Sequence, residues 1–427
     1  MKEGGCFPII MQRLIQRFSA ITIGLTKYAI LYRSFVAFGV IIVGSAFLIP
    51  GPDVAMQGDV SVYQGVANDL FKGALPYRDH VLEYPPYAIP IFLLPRIFGE
   101  GNYLIAFLSL AFVADWLVKA LVLLIGFGQS KTVRALFPVM LYSAAVPFIH
   151  FFYLQRYDIW PALLCLIAIW LFCSGRYLTS GVAFSFGIGI KLYPIVFVPP
   201  LMVLALRQGK GRDFIAGLVL GLFPVVLLSF WLPWWEFAAF QTNRGLQVES
   251  LYASLLWLGQ LIGVANVDWS YVNKWYEVEG PLATAVLPWA RGVFLIGVGG
   301  STTIAIWIAF RLQKIDAPTI SRLLLIPLLA FVAWNPVLSP QYMIWLLPLA
   351  ALASLEGSLW APCAICLATV LTPIFYPSSD YGVGLSLMET LVLLIRNLIL
   401  IAAWGSLIRE SLRKIFKELR FGEFSPL

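Results

Sequence analysis

From Ser34 to Ser406 the chain passes through one long apolar run after another, separated by short polar breaks. In a bilayer such runs can satisfy their backbone groups only as helices or as a closed barrel. Barrel strands alternate apolar and polar residues, and these runs are continuous. The expected fold class is therefore all-α, a polytopic membrane protein of about 11–13 membrane segments with some helices broken or re-entrant. Composition agrees: 12% of the residues are charged, against about 25% in soluble domains.

The net charge of +7 reports topology rather than nucleic-acid binding, because Lys and Arg collect in cytoplasmic loops. Lys2, Arg13, Arg17, Lys27 and Arg33 crowd the N-terminal segment, and Arg409, Arg413, Lys414, Lys417 and Arg420 the C-terminal one. Short basic breaks lie between them at Lys131/Arg134, Arg176, Arg207/Lys210/Arg212 and Arg311/Lys314/Arg322. This pattern places both termini in the cytoplasm and predicts three regions. Residues 1–33 form a basic amphipathic segment, 34–408 a membrane domain, and 409–427 a basic tail. The spans fall near 34–50, 102–126, 135–150, 157–173, 213–232, 290–310, 322–335, 341–356, 358–376 and 386–408. Outer loops cover 51–100 and 233–289, the second with an apolar piece at 251–266 of a length that suits a re-entrant helix. The stretch 179–206 has basic flanks on both sides, so a broken or hairpin pair of short helices turning near Lys191 is expected. The first apolar run carries no clear cleavage site, and no removable leader is expected.

The first outer loop gathers polar residues just beneath a membrane surface: Gly58-Asp59-Val60-Ser61-Val62-Tyr63, then Glu83-Tyr84-Pro85-Pro86. A carboxylate such as Asp59 can act there as a general base or orient a hydroxyl acceptor. The plain alternative is a solvated loop acid equivalent to Asp53 or Asp69. If the segment is helical, Tyr63 shares its face. The two prolines force Tyr84 into extended geometry, setting Glu83 and Tyr84 rigidly at a membrane-facing corner.

Three further clusters face the same side: Leu154-Gln155-Arg156-Tyr157-Asp158, Asn243 to Ser250 around Arg244, and Asn335 to Tyr342 with Gln341. Arg156, Lys191 and Arg244 supply cations suited to a lipid phosphate or pyrophosphate, or to ordinary headgroups. In Lys191-Leu192-Tyr193-Pro194 the lysine either faces a polar cavity or snorkels to the surface. Asp115 and Lys119 are spaced to pair along one helix, while Arg396 and Glu389 of the last span are structural pairs or cavity-lining groups. Cys363-Ala364-Ile365-Cys366 has no second pair and reads as packing; His80 and His150 lack ligand spacing. Neither a metal nor a cofactor is expected.

In chain order, Asp59-x-x-x-Tyr63, Gly73 with Tyr77, Glu83-Tyr84-Pro85-Pro86, Lys191-Leu192-Tyr193-Pro194, Arg244 with Ser250-Leu251, and Ser339-Pro340-x-Tyr342 form an ordered set. The set resembles glycosyltransferase family 87 over roughly residues 35–405. The resemblance implies a GT-C-like catalytic domain in the plasma membrane. Its donor is a polyprenyl-phosphate-linked sugar, a mannose-like hexose or a pentose, and its acceptor a lipid or glycan hydroxyl. Transfer takes place at the outer face with inversion, among membrane lipids and without nucleic acid. It further implies that Asp59 is the base and that Lys191, Arg244 and Arg156 receive the phosphate. Tyr63, Glu83, Tyr84, Tyr193, Gln341 and Tyr342 complete the substrate site. The stretch 267–289, with Trp275, Glu277 and Glu279, departs from the family pattern and leaves the acceptor open. Two other readings stand beside this one. A secondary transporter or lipid flippase also has about twelve spans and buried charges, but the chain has long outer loops and no paired halves. A polyprenyl-pyrophosphate-dependent polysaccharide polymerase or ligase would likewise act outside.

Overall fold

The computed structural model describes residues 59–79, 82–130, 132–242, 244–272, 275–374 and 385–420. The N-terminal basic segment and the first expected span lie outside these residues. Among the described residues, five helices are long and apolar enough to cross a membrane: Glu100–Gln129, Arg134–Gln155, Gly211–Leu228, Pro281–Arg311 and Leu387–Lys417. Seven shorter apolar helices accompany them. The protein is an all-α polytopic membrane protein, as its apolar runs require.

In chain order the helices are α1 (Asp59–Phe71), α2 (Ile89–Arg96), α3 (Tyr103–Gln129), α4 (Phe137–Ala145), α5 (His150–Gln155), α6 (Ile159–Cys173), α7 (Tyr177–Ile190) and α8 (Val198–Arg207). They continue as α9 (Gly211–Leu228), α10 (Phe237–Thr242), α11 (Leu251–Leu261), α12 (Pro281–Arg311), α13 (Ala317–Ala333), α14 (Tyr342–Ala353), α15 (Trp360–Leu371) and α16 (Leu387–Arg420).

Length follows surroundings. α13 and α14 are buried along nearly their whole length, whereas α12 exposes Trp289 and Ile296 at 78% and 76%. A lipid-facing helix must cover the hydrocarbon thickness of about 30 Å, or roughly 20 residues. A helix walled in by protein can stop short, because neighbouring protein rather than lipid meets its freed backbone groups.

The stretch between the two basic flanks is a hairpin. α7 ends at Ile190, Lys191 is extended (φ −155°, ψ 132°), and a 3₁₀ turn at Tyr193–Phe197 leads into α8. Pro194 helps open that turn, where its missing N–H costs nothing. α7 and α9 are packed so closely that a Cβ on Gly217 would run into the Leu178 carbonyl, and one on Gly181 into Phe214. Further along, Gly221 meets Val182 and Ser185, and the Ser185 hydroxyl donates to the Leu218 carbonyl at 2.8 Å. The contacts advance together, so α7 and α9 run parallel and Arg176 and Arg207 share one end. Further along α9, the Tyr87 hydroxyl donates to the Gly221 carbonyl at 2.5 Å.

The stretch between α10 and α12 holds one structure that the apolar runs do not announce. Strands β1 (Leu246–Gln247), β2 (Asp268–Val272) and β3 (Trp275–Glu279) form an antiparallel sheet in the order β1-β3-β2. Its register pairs Trp269 with Val278 and Tyr271 with Tyr276. The apolar piece between β1 and β2 is α11, whose start is capped by the Ser250 side chain.

Candidate active site

Asp59 is the first residue of α1, where the helix N-terminus favours a carboxylate. One turn on, the Tyr63 hydroxyl donates to Asp59 Oδ2 at 3.3 Å. The Tyr63 ring is buried, stacked on Phe92 at 4.4 Å and edge-on to Tyr84 and Tyr157 at 5.6 Å each. Burial raises its hydroxyl well above the usual tyrosine range, so it stays protonated and remains a donor. The guanidinium of Arg156 forms an ion pair with the Asp59 carboxylate. Arg156 ends α5 in extended geometry, which turns its side chain away from the helix axis toward α1.

Two residues further, Asp158 occupies the N-cap position of α6 without a side-chain cap and is fully buried. Its Oδ1 accepts from Lys191 Nζ at 2.6 Å and from Trp345 Nε1 at 2.7 Å. The Lys191 ammonium stands over the rings of Tyr157 (4.7 Å) and Trp345 (5.3 Å). Trp345 is stacked on Tyr193 at 4.2 Å and on Tyr342 at 4.0 Å. Tyr193 is thus a wall of this box, and its hydroxyl turns to Cys165 Sγ at 3.9 Å. Arg244 lies close enough for its charge to act on both Lys191 and Tyr342. Its backbone carbonyl accepts from Arg291 at 2.8 Å, and the Gly245 amide beside it donates to Glu277 at 2.6 Å.

The residues singled out from sequence therefore fall into one neighbourhood. Asp59, Tyr63 and Arg156 touch, and Lys191, Tyr193 and Tyr342 surround Trp345. Glu83 bears electrostatically on Tyr63 and Tyr84. Tyr84 is fixed by its carbonyl, which accepts from the Tyr77 hydroxyl at 2.6 Å; Tyr77 itself adopts a left-handed φ of 65°. Gln341 stands at the head of α14 and makes no side-chain cap there.

Sequence places Asp158 in the Leu154–Asp158 cluster but gives neither it nor Trp345 a role in the site. Asp158 was visible as a charged residue at the edge of a span. A Trp inside an apolar helix gives no such signal, and its partner lies 187 residues away.

A second buried pair lies behind the site. Arg396 of α16 lies 4.0 Å from Glu249, and its Nη2 donates to the Glu249 carbonyl at 2.8 Å. Burial pushes the Glu249 carboxyl up to about 8, against the opposing charges of Arg396 and Arg156. Glu389, on the same helix as Arg396, instead accepts from the Ser386 amide and hydroxyl at 2.8 and 2.7 Å. Asp115 and Lys119 of α3 pair at 2.5 Å as their spacing requires. Cys363 and Cys366 carry free thiols. No His/Cys/Asp/Glu group among the described residues could hold a metal ion.

Residues 82–333 match glycosyltransferase family 87. That stretch includes Glu83, Tyr84, Arg156, Asp158, Lys191 and Arg244, while Asp59, Tyr342 and Trp345 lie outside it. No curated protein matches the chain.

Proposed function

The chain belongs to glycosyltransferase family 87 and is a membrane glycosyltransferase; from that premise we propose that it moves a sugar from a polyprenyl-phosphate donor to a hydroxyl acceptor. The sugar is a mannose-like hexose or a pentose, and the acceptor a lipid or glycan. Asp59 takes the proton from the acceptor hydroxyl. The oxygen attacks the anomeric carbon from the side opposite the phosphate, so the configuration inverts. The bond from the anomeric carbon to the phosphate oxygen breaks, and polyprenyl phosphate leaves with the electron pair. Lys191, Arg244 and Arg156 receive its charge. Fixed positive groups around such a leaving group reduce the need for a strong general acid.

The observation that carries this reading is the contact of Asp59 with Arg156, which sets a carboxylate directly beside a phosphate-grade cation. An apolar crevice of about 140 Å³ supports it. Pro90, Ile91, Leu94, Pro95, Phe107, Leu110 and Trp160 line it, and Phe107 also packs on Tyr63 at 5.5 Å. A hydrocarbon chain lying there keeps its phosphate near the charged cluster. The basic segments at both ends of the chain favour cytoplasmic termini, with the site on the outer face of the plasma membrane.

The test is transfer by purified protein from a radiolabelled polyprenyl-phosphate sugar. Asp59→Asn lowers turnover by about 10²–10⁴-fold while the protein inserts and folds normally, and the product has the opposite anomeric configuration to the donor. Unchanged turnover in that variant rules Asp59 out as the base.

A further inference from the structure

We propose that Asp158 and Trp345 are positioning residues that hold the Lys191 ammonium ready for the donor phosphate. The proposal rests on the reading of Lys191 as a phosphate-binding cation. Lysine is a compact charge on a flexible stem, and unless fixed it must be ordered each time an anion binds. Here three features fix it. The backbone at Lys191 leaves the helix in extended geometry. Its Nζ is held by Asp158 Oδ1 at 2.6 Å. The rings of Tyr157 and Trp345 close two further sides.

Asp158 is itself oriented. The same Oδ1 accepts from Trp345 Nε1 at 2.7 Å, and Trp345 is stacked against both Tyr193 and Tyr342. The carboxylate also stands at the N-terminus of α6, which favours its negative charge.

The pair is asymmetric, as the Asp115–Lys119 pair also is, but here the accessible ammonium lies beside the proposed phosphate site. The Asp158 side chain is 0% exposed and that of Lys191 is 20% exposed. The acid is the buried support and the ammonium the accessible end. An ammonium has three N–H groups; Asp158 accepts from it through one oxygen, which leaves N–H groups for phosphate oxygens.

Removing the acid has a definite electrostatic consequence. The ammonium then stands among the rings of Tyr157 and Trp345 with the charges of Arg156 and Arg244 in reach. Desolvation and like charge both favour loss of its proton, so its hold on phosphate weakens as pH rises.

The experiment measures donor and acceptor KM and kcat for the full-length protein with a polyprenyl-phosphate sugar. Asp158→Asn raises donor KM about tenfold, as loss of a charged hydrogen bond would, and leaves acceptor KM unchanged. Its donor KM climbs between about pH 7 and pH 9 more steeply than the unsubstituted protein's. Trp345→Phe, which keeps a ring but loses the N–H, shifts donor KM the same way by less, and serves alone if Asp158→Asn does not fold. In a Lys191→Met background neither change adds anything. A full effect of Asp158→Asn or Trp345→Phe in that background, or a pH-independent donor KM in Asp158→Asn, overturns the proposal. An unaltered donor KM in Lys191→Met alone overturns the reading of Lys191 on which it rests.

Discussion

Arg156 and Asp158, two residues apart in one turn, are bound to opposite charges on different elements: Arg156 to Asp59 of α1, and Asp158 to Lys191 at the end of α7. The turn clips the acid at the start of α1 to the cation of the helix break. Tyr157, between them, presents its ring to Tyr63 on one side and to the Lys191 ammonium on the other.

On the proposed mechanism, Tyr63 bears on catalysis through one hydrogen bond. Tyr63→Phe keeps the buried ring and its stack on Phe92 but removes the donor to Asp59. Hydrogen bonds to charged groups are worth about 1.5–3 kcal/mol, and this one is long, so the lower end applies. We expect kcat to fall about tenfold with the thermal midpoint little changed. A kcat within error of the unsubstituted protein removes Tyr63 from the base's environment.

Glu249 gives stability a pH dependence whose sign is fixed. Its carboxyl is raised to about 8 in the folded protein, against 4.5 ordinarily. Between those values the folded state holds a proton that the unfolded chain has released. The contribution is full below the lower value and is lost as pH rises toward about 8. Glu249→Gln keeps the backbone carbonyl that Arg396 uses and flattens this slope. Thermal midpoints of both proteins in detergent, measured from about pH 5 to pH 9, decide it; parallel curves reject the assignment.

At Gly217 the seam between α7 and α9 has no room for a side chain. Gly217→Val drives atoms into the Leu178 carbonyl and costs about 1–3 kcal/mol by overpacking, seen as a lower thermal midpoint. Gly299→Ala in α12, where nothing lies within 4 Å, is the control and leaves the midpoint unchanged or slightly higher.

Sidedness is checked by labelling intact cells. In a background lacking the five native cysteines, single cysteines at positions 84 and 244 react with an impermeant maleimide from outside. Reaction only after the membrane is opened reverses the orientation.

Much of this architecture was legible in the sequence because bilayer physics leaves few choices. Arg176 and the Arg207 break at one end, with Lys191 in the middle, foretold the hairpin. Asp115 and Lys119 paired as their spacing required. Ser386 and Glu389 form a reciprocal helix cap, not a pair of Glu389 with Arg396. Arg396 goes instead to Glu249, 147 residues earlier in the chain, and nothing local encodes that contact. The sheet was missed for another reason. Its alternation of Asp268-Trp269-Ser270-Tyr271 is short, and the long apolar runs around it dominate any reading by hydropathy.

The parallel pairing of α7 with α9 has a mechanical consequence. Lys191 stands at the tip of α7, while the Pro-Pro corner is tied through Tyr87 to Gly221 in the C-terminal half of α9. Both arms of the site are therefore referenced to one strut. If the strut tilts within the bilayer, it carries the cation and the corner together, and their spacing is buffered against changes in membrane thickness.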